Sequence, residues 1–502
     1  MNHRTPHVRP MRRALASATA LLLALLPAAA SAQRPVPAVA PVAGKPSLLI
    51  GAYDLTKLGY QTDEFFLSGT AVRYTLAGPA APDGVWAATA GAGAPYKTRV
   101  VAIRPSDPAK FNGTVLVEWL NVTSGQDTPA DWMVAHREIL RRGYAYVAVS
   151  AQAVGVEGGT SIMGMGAALK KIDPARYGPL AHPGDAFSFD IFSQVGAALK
   201  APGASGILGP LKPQRVIALG ESQSAFFLTT YVNAIDPLAR IYDGVFIHSR
   251  FGPAAGLDGV RIGADSSQVV RFRPDLRVPV LTLVTETDLV GAQPAGYYGA
   301  RRPDDAHLRV WELAGAAHAD GYLFKGAFID DGTRSSDQLA AVFWPALTAP
   351  GGKLARPYNP GVPHHYVVEA AIAAIDRWVR TGTPPASTPL IAANAPTAPG
   401  AKPTLQTDAQ GLARGGVRTP WMDAPTMLQS GVGNSGPFVG EIVGVGEPFD
   451  QATLKRLYPG GKTEYLDRFT SALDRAIAAG HLLAEDRAEI LAIAAVNYDK
   501  AP

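Results

Sequence analysis

The 502-residue sequence contains no cysteine. That absence excludes disulfides, thiolate zinc sites, cysteine nucleophiles and cysteine-held iron–sulfur clusters, so covalent catalysis must use Ser, Thr, Lys, Asp, Glu, His or Tyr. Charged residues are sparse at 18%, and no segment is apolar over the ~20 residues needed to span a bilayer. What is abundant is apolar: 47% of the chain is hydrophobic. A large core is therefore expected, and disorder, collagen-like repetition and coiled coils are excluded. The formal charge of +4 invites a nucleic-acid or acidic partner, but its location along the chain argues otherwise.

Residues 1–32 carry Arg4, Arg9, Arg12 and Arg13, then an apolar run over 14–26, then small residues ending in Ala30-Ser31-Ala32. This is the pattern of a secretory signal peptide cleaved near Ala32, and it predicts an exported protein, periplasmic or secreted, without stable membrane insertion. Taking those four arginines from 46 basic residues leaves 42, matching the 42 acidic ones. The expected mature chain is neutral, and the case for a nucleic-acid partner goes with the leader.

Residues 33–45 are Pro/Ala-rich and read as a disordered linker. Apolar runs at 48–52, 66–76, 99–103 and 115–120 predict strands with little helix between them. Strand and helix then alternate: helices over 131–142, 185–200 and 223–235, strands over 144–150, 215–219, 244–248, 278–284 and 308–313. Helices between strands imply right-handed crossovers, hence an α/β fold with a mainly parallel sheet, helices on both faces and antiparallel N-terminal strands. Residues 366–381 predict an amphipathic helix, and 386–502 a loop-rich and helical C-terminal extension or cover to a domain running from 46 to 502.

The chemistry concentrates in three loops. Val216-Ile217-Ala218-Leu219 runs into Gly220-Glu221-Ser222-Gln223-Ser224 and then a helix. A serine in so tight a strand-to-helix turn presents its hydroxyl as a nucleophile, and the Gln223 backbone N–H can donate to a developing oxyanion. Ser224 stands where a second glycine is usual. Past the next strands come Glu286 and Asp288, of which Asp288 is favoured as the acid because a triad acid usually lies a few residues beyond its strand, with Glu286 as its rival, and then His318 in a loop of small residues. Ser, acid, His in that order, each beyond a strand's carboxyl end, suits a general base at His318 held by a carboxylate. The backbone N–H near Leu120 or Asn121 is the candidate second oxyanion donor.

The stretches VEWLNVTSG (117–125), RRGYAYVAVSAQ (141–152), HPGDAFSFDIFSQ (182–194), GESQSA (220–225), TETD (285–288), RVWELAGAAHAD (309–320) and GGVRTPWMDAP (415–425) resemble the alpha/beta hydrolase domain-containing proteins. The resemblance implies one hydrolase domain with Ser222, His318 and an acid at 286–288 as its triad, and says little about substrate. The expected activity is hydrolysis of a small or polymer-borne carboxylic ester without a cofactor or metal. Acyl transfer, lactone or amide hydrolysis by the same residues, or a binding protein on a retained scaffold, are the alternatives. Oligomeric state is left open. Gly431-Val-Gly-Asn-Ser-Gly436 matches a dinucleotide loop in spelling but lacks the flanking strand and helix. His364-His365 reads as surface or cleft wall, and Tyr297 and Tyr298 as core, with an acyl or sugar pocket lining as the alternative.

Overall fold

The computed structural model describes residues 1–3, 36–164, 166–201, 206–260, 268–291, 295–361, 364–398, 400–437 and 439–502. Apart from its first three residues, the expected leader lies outside the described residues. Among these, nine strands form the main sheet: β1 (Ala38–Val42), β2 (Tyr60–Leu76), β3 (Ala88–Pro105), β4 (Thr114–Trp119), β5 (Ala145–Val149), β6 (Arg215–Glu221), β7 (Gly244–His248), β8 (Val280–Thr285) and β9 (Leu308–Leu313). Their order is β1-β2-β3-β5-β4-β6-β7-β8-β9. The pairings β1–β2, β2–β3 and β3–β5 are antiparallel, and the rest are parallel.

Alternation along the parallel strands decides the layers. Val115, Val117, Val147, Val149, Val216, Ala218, Val245 and Ile247 face one core, with Phe189 and Phe192 of α2 (Ser188–Lys200) and Leu228 of α3 (Gln223–Thr230). Leu116, Tyr146, Ala148, Ile217, Leu219, Phe246 and Leu281 face another. There they meet Trp132 and Ile139 of α1 (Ala130–Arg141) and Ile372 and Trp378 of α6 (His364–Thr381). Strands buried on both faces are near-continuous in apolar residues, which is why the sequence shows runs here instead of alternation. The parallel strands end at one edge of the sheet, so the loops after β6, β7, β8 and β9 gather there.

Three local expectations are corrected. Ala38–Val42, inside the stretch expected as a disordered linker, is edge strand β1, paired from Ala38↔Ser68 to Val42↔Glu64. Proline is tolerated in such a strand because the missing N–H need not serve a ladder. Residues 48–52 are not a strand: the Ile50 carbonyl accepts the Trp132 indole N–H at 3.0 Å and Ala52 N–H donates to Phe328 O at 2.9 Å. The helix after Ser222 stops at Thr230 and continues as a π turn, Tyr231–Ile235.

The C-terminal extension joins the second core. Leu473 of α7 (Gly461–Ala478) and Ile490 of α8 (Arg487–Asp499) pack with the α1 and α6 side chains. Arg137 of α1 pairs with Glu489 at 2.7 Å, and Arg141 pairs with Asp486. A hairpin of β10 (Met427–Ser430) and β11 (Val445–Pro448) precedes these helices. Among the described residues no helix is long and apolar enough to cross a membrane.

Candidate active site

Position 220, next to last in β6, is glycine because nothing larger fits: a Cβ on Gly220 would lie 2.8 Å from Leu228 Cδ1 and 3.2 Å from Ser224 Cβ. The same contact explains why Ser224, small and fully buried, is accepted where a glycine is usual. The chain then turns through Ser222 at φ 56°, ψ −113°, a conformation a non-glycine residue adopts only when its surroundings enforce it. One enforcing contact is the Ser222 N–H, which donates to His248 O at 3.0 Å. Ser222 and Gln223 remain partly accessible while Glu221 and Ser224 are buried.

Ser222 Oγ lies 2.8 Å from His318 Nε2, and His318 Nδ1 lies 2.6 Å from Asp288 Oδ1. An ionised carboxylate only accepts, so Nδ1 carries the proton and Nε2 is left to accept from the hydroxyl. Asp288 is wholly buried, and its second oxygen accepts from Thr285 N–H and Oγ–H, both at 2.8 Å, as a capping box on α4 (Glu286–Val290), which lies between β8 and β9. Burial alone would raise this carboxyl, but His318 and the Thr285 donors hold it below the ordinary aspartate range. The Phe251 ring packs 5.0 Å from the imidazole.

Of the two acids, Asp288 alone reaches His318. Glu286, also fully buried, accepts from Gly315 N–H at 2.6 Å, Ser430 Oγ–H at 2.7 Å and Gly431 N–H at 2.8 Å. Burial outweighs these donors and raises its carboxyl. Glu286 therefore ties the histidine loop to the β10 hairpin. The glycine motif set aside as dinucleotide-binding acts here: a Cβ on Gly431 would lie 2.3 Å from Ala316 O and 2.7 Å from Glu286 Cβ. Asn359 Nδ2 binds Gly315 O at 2.7 Å and Ser430 O at 3.2 Å, closing the same bracket.

Gln223 sits in the first turn of α3, where backbone N–H groups have no intrahelical acceptor. Asn121 does not supply a second donor, because its N–H is committed to Thr128 O at 3.0 Å and its Nδ2 binds Glu221 O and Oε2 at 3.2 Å. Leu120 N–H is likewise spent on Val149 O. The next residue, Val122, directs its N–H toward Gln223 Oε1 at 3.4 Å. Sequence reasoning also passed over Glu221, whose Oε1 lies 3.7 Å from His318 Nε2 and whose carboxyl is raised by burial and by Asp131, Asp288 and Glu118. His364 and His365, expected at the surface or in a cleft wall, are buried, the latter stacked 3.8 Å from the Tyr322 ring. Tyr297 is core, with Arg250 over its ring at 5.3 Å. Among the described residues no three His, Asp or Glu side chains are grouped to hold a metal ion.

Among solved structures, the chain is similar to a glucuronoyl esterase from Solibacter usitatus (11% identity, 56% of this chain and 83% of that one, TM-score 0.28). It is similar also to a cold-adapted esterase from an Arctic intertidal metagenomic library (13%, 50% and 84%, 0.29). A third is an α/β serine hydrolase without a lid from Xanthomonas campestris (12%, 49% and 83%, 0.27). No curated protein matches the chain. A family model described as alpha/beta hydrolase domain matches residues 27–492, and with nearly the whole chain inside that match the protein belongs to the alpha/beta hydrolase family.

Proposed function

We propose that the protein is a serine hydrolase acting on carboxylic esters. The observation that carries this is the unbroken hydrogen-bonded chain Ser222–His318–Asp288, at 2.8 and 2.6 Å, with the serine in a strained, accessible turn. Asp288 fixes the tautomer in which His318 Nε2 takes the Ser222 proton as the oxygen attacks the ester carbonyl. The Gln223 N–H receives the oxyanion, joined by the Val122 N–H once its long 3.4 Å contact to the Gln223 side chain is released; removing one such donor typically costs about 10²–10³ in kcat. His318 then protonates the departing alcohol, and a water activated by the same nitrogen clears the acyl-enzyme. The basic leader over residues 1–32 adds the reading that this chemistry takes place after export.

A fluorophosphonate probe and p-nitrophenyl esters of several chain lengths test the proposal. Wild type is expected to be labelled once and to turn over at least one ester, and Ser222→Ala to do neither. Labelling that persists in Ser222→Ala overturns it.

A further inference from the structure

A second hydrogen-bonded chain, separate from the nucleophile and its base, joins four elements. Asp131 comes from the first turn of α1, His248 from the end of β7, His364 from the start of α6 and Asp320 from the loop that carries His318. Asp131 Oδ1 lies 2.9 Å from His248 Nδ1, His248 Nε2 lies 2.9 Å from His364 Nε2, and His364 Nδ1 lies 2.8 Å from Asp320 Oδ2. All four side chains are shielded from solvent.

Counting protons limits what this chain can be. A hydrogen bond between two ring nitrogens needs one N–H and one bare nitrogen, so the His248–His364 contact holds one proton. With both rings neutral, two arrangements satisfy all three bonds. In one, Asp131 O–H donates to His248 Nδ1, His248 Nε2–H to His364 Nε2, and His364 Nδ1–H to the Asp320 carboxylate. In the other every donor is reversed, and the carboxylate is Asp131. Burial, then His364, depresses the His248 ring well below the ordinary histidine range, and burial pushes the Asp131 carboxyl up to about 8, so a neutral His248 and a proton held at the Asp131 end suit this site.

We infer that Asp131, His248, His364 and Asp320 form a proton relay that carries one negative charge to either end without moving a heavy atom, and that His248 and His364 are positioning residues for the Ser222–His318 pair. The exchange balances internally. The Asp320 proton passes to His364 Nδ1, the His364 Nε2 proton to His248 Nε2, and the His248 Nδ1 proton to Asp131, moving the charge from Asp131 to Asp320. Both ends of the active pair are attached: His248 O holds the Ser222 N–H, and Asp320 follows His318 by two residues. Charge drawn to the Asp320 end favours the imidazolium that forms when His318 takes the serine proton. Among the described residues, the ionisable groups facing the relay include Glu118 from β4, Tyr146 from β5, Glu221 from β6, Asp288 from α4, His318 from the β9 loop and His365 from α6.

This inference rests on the proposed ester chemistry for its catalytic half, and the test separates the two. In the full chain labelled with ¹⁵N-histidine, a through-bond ¹⁵N–¹⁵N coupling is expected between His248 Nε2 and His364 Nε2, on a strongly downfield proton. The coupling should persist in Ser222→Ala and vanish in His364→Gln. Uncoupled rings in wild type overturn the relay, whatever the variants do. In the second arm, His364→Gln, checked for folding by circular dichroism, is expected to lose about tenfold in kcat with little change in KM. The acid limb of its kcat/KM profile should move by about one pH unit. A folded His364→Gln with an unmoved limb overturns the positioning role. Coupling in a protein that hydrolyses no ester upholds the relay and removes the catalytic reading.

Discussion

Asp288 and Glu286 stand two positions apart and differ in what they face. Asp288→Asn should leave Ser222 in place yet lower kcat by about 10³–10⁴, because an amide in that position stabilises the wrong imidazole tautomer. Glu286→Gln turns a pure acceptor into a group that presents an NH₂ to one of three donors. Its expected cost is about 1–3 kcal/mol in urea unfolding, with activity falling only as the loops loosen. Gly431→Ala is expected to displace Glu286 and lower both melting temperature and kcat, since its Cβ would overlap Ala316 O. Ser222, His318 and the pair of acids were legible because strand ends and small flanking residues mark them. Loop position already favoured Asp288, but setting Glu286 aside required knowing that Gly315, Ser430 and Gly431 converge on it. The proposed donor Val122 lies one position beyond the expected pair because the Asn121 and Leu120 N–H groups are consumed by Thr128 and Val149, partners no local pattern reveals.

At the scale of elements, the parallel strands were readable from continuous apolar runs, whereas pieces held by tertiary contacts were not. Strand β1 has the composition of a linker and exists because β2 offers it an edge. The His364-His365 pair looks polar in sequence, yet one ring bonds His248 and Asp320 and the other is enclosed by Tyr322, Phe343 and Tyr366. His481, in the turn between α7 and α8, packs edge-on to Trp311 of β9 at 5.1 Å, and burial pushes its ring down to about 4. The unfolded chain protonates this imidazole near pH 6.5 and the folded chain does not. The stability it contributes is thus full above that pH and lost as the pH falls toward 4. Comparing His481→Gln with wild type by urea unfolding at pH 7.5 and 4.5 should show the gap between them shrink by up to about 3 kcal/mol.

For the whole molecule, zero cysteines mean that the fold is held by burial and non-covalent pairing, and the proposed export would bring it no disulfide. The C-terminal extension is part of that burial, since Phe469, Leu473, Ile490 and Ile493 share a core with α1, α6 and the sheet. A chain ending at residue 449 should expose that core and elute as aggregate in size-exclusion chromatography, where a detachable cover would leave a monodisperse, active remainder. The bracket from Glu286 to Gly431 also sets an order of assembly. A ribosome delivers Ser222 first, Asp288 and His318 next, and the glycine that pins their loops more than a hundred residues later. On this account the three side chains stay unpinned until residue 431 has emerged, and the arrangement around Ser222 is completed only late in synthesis.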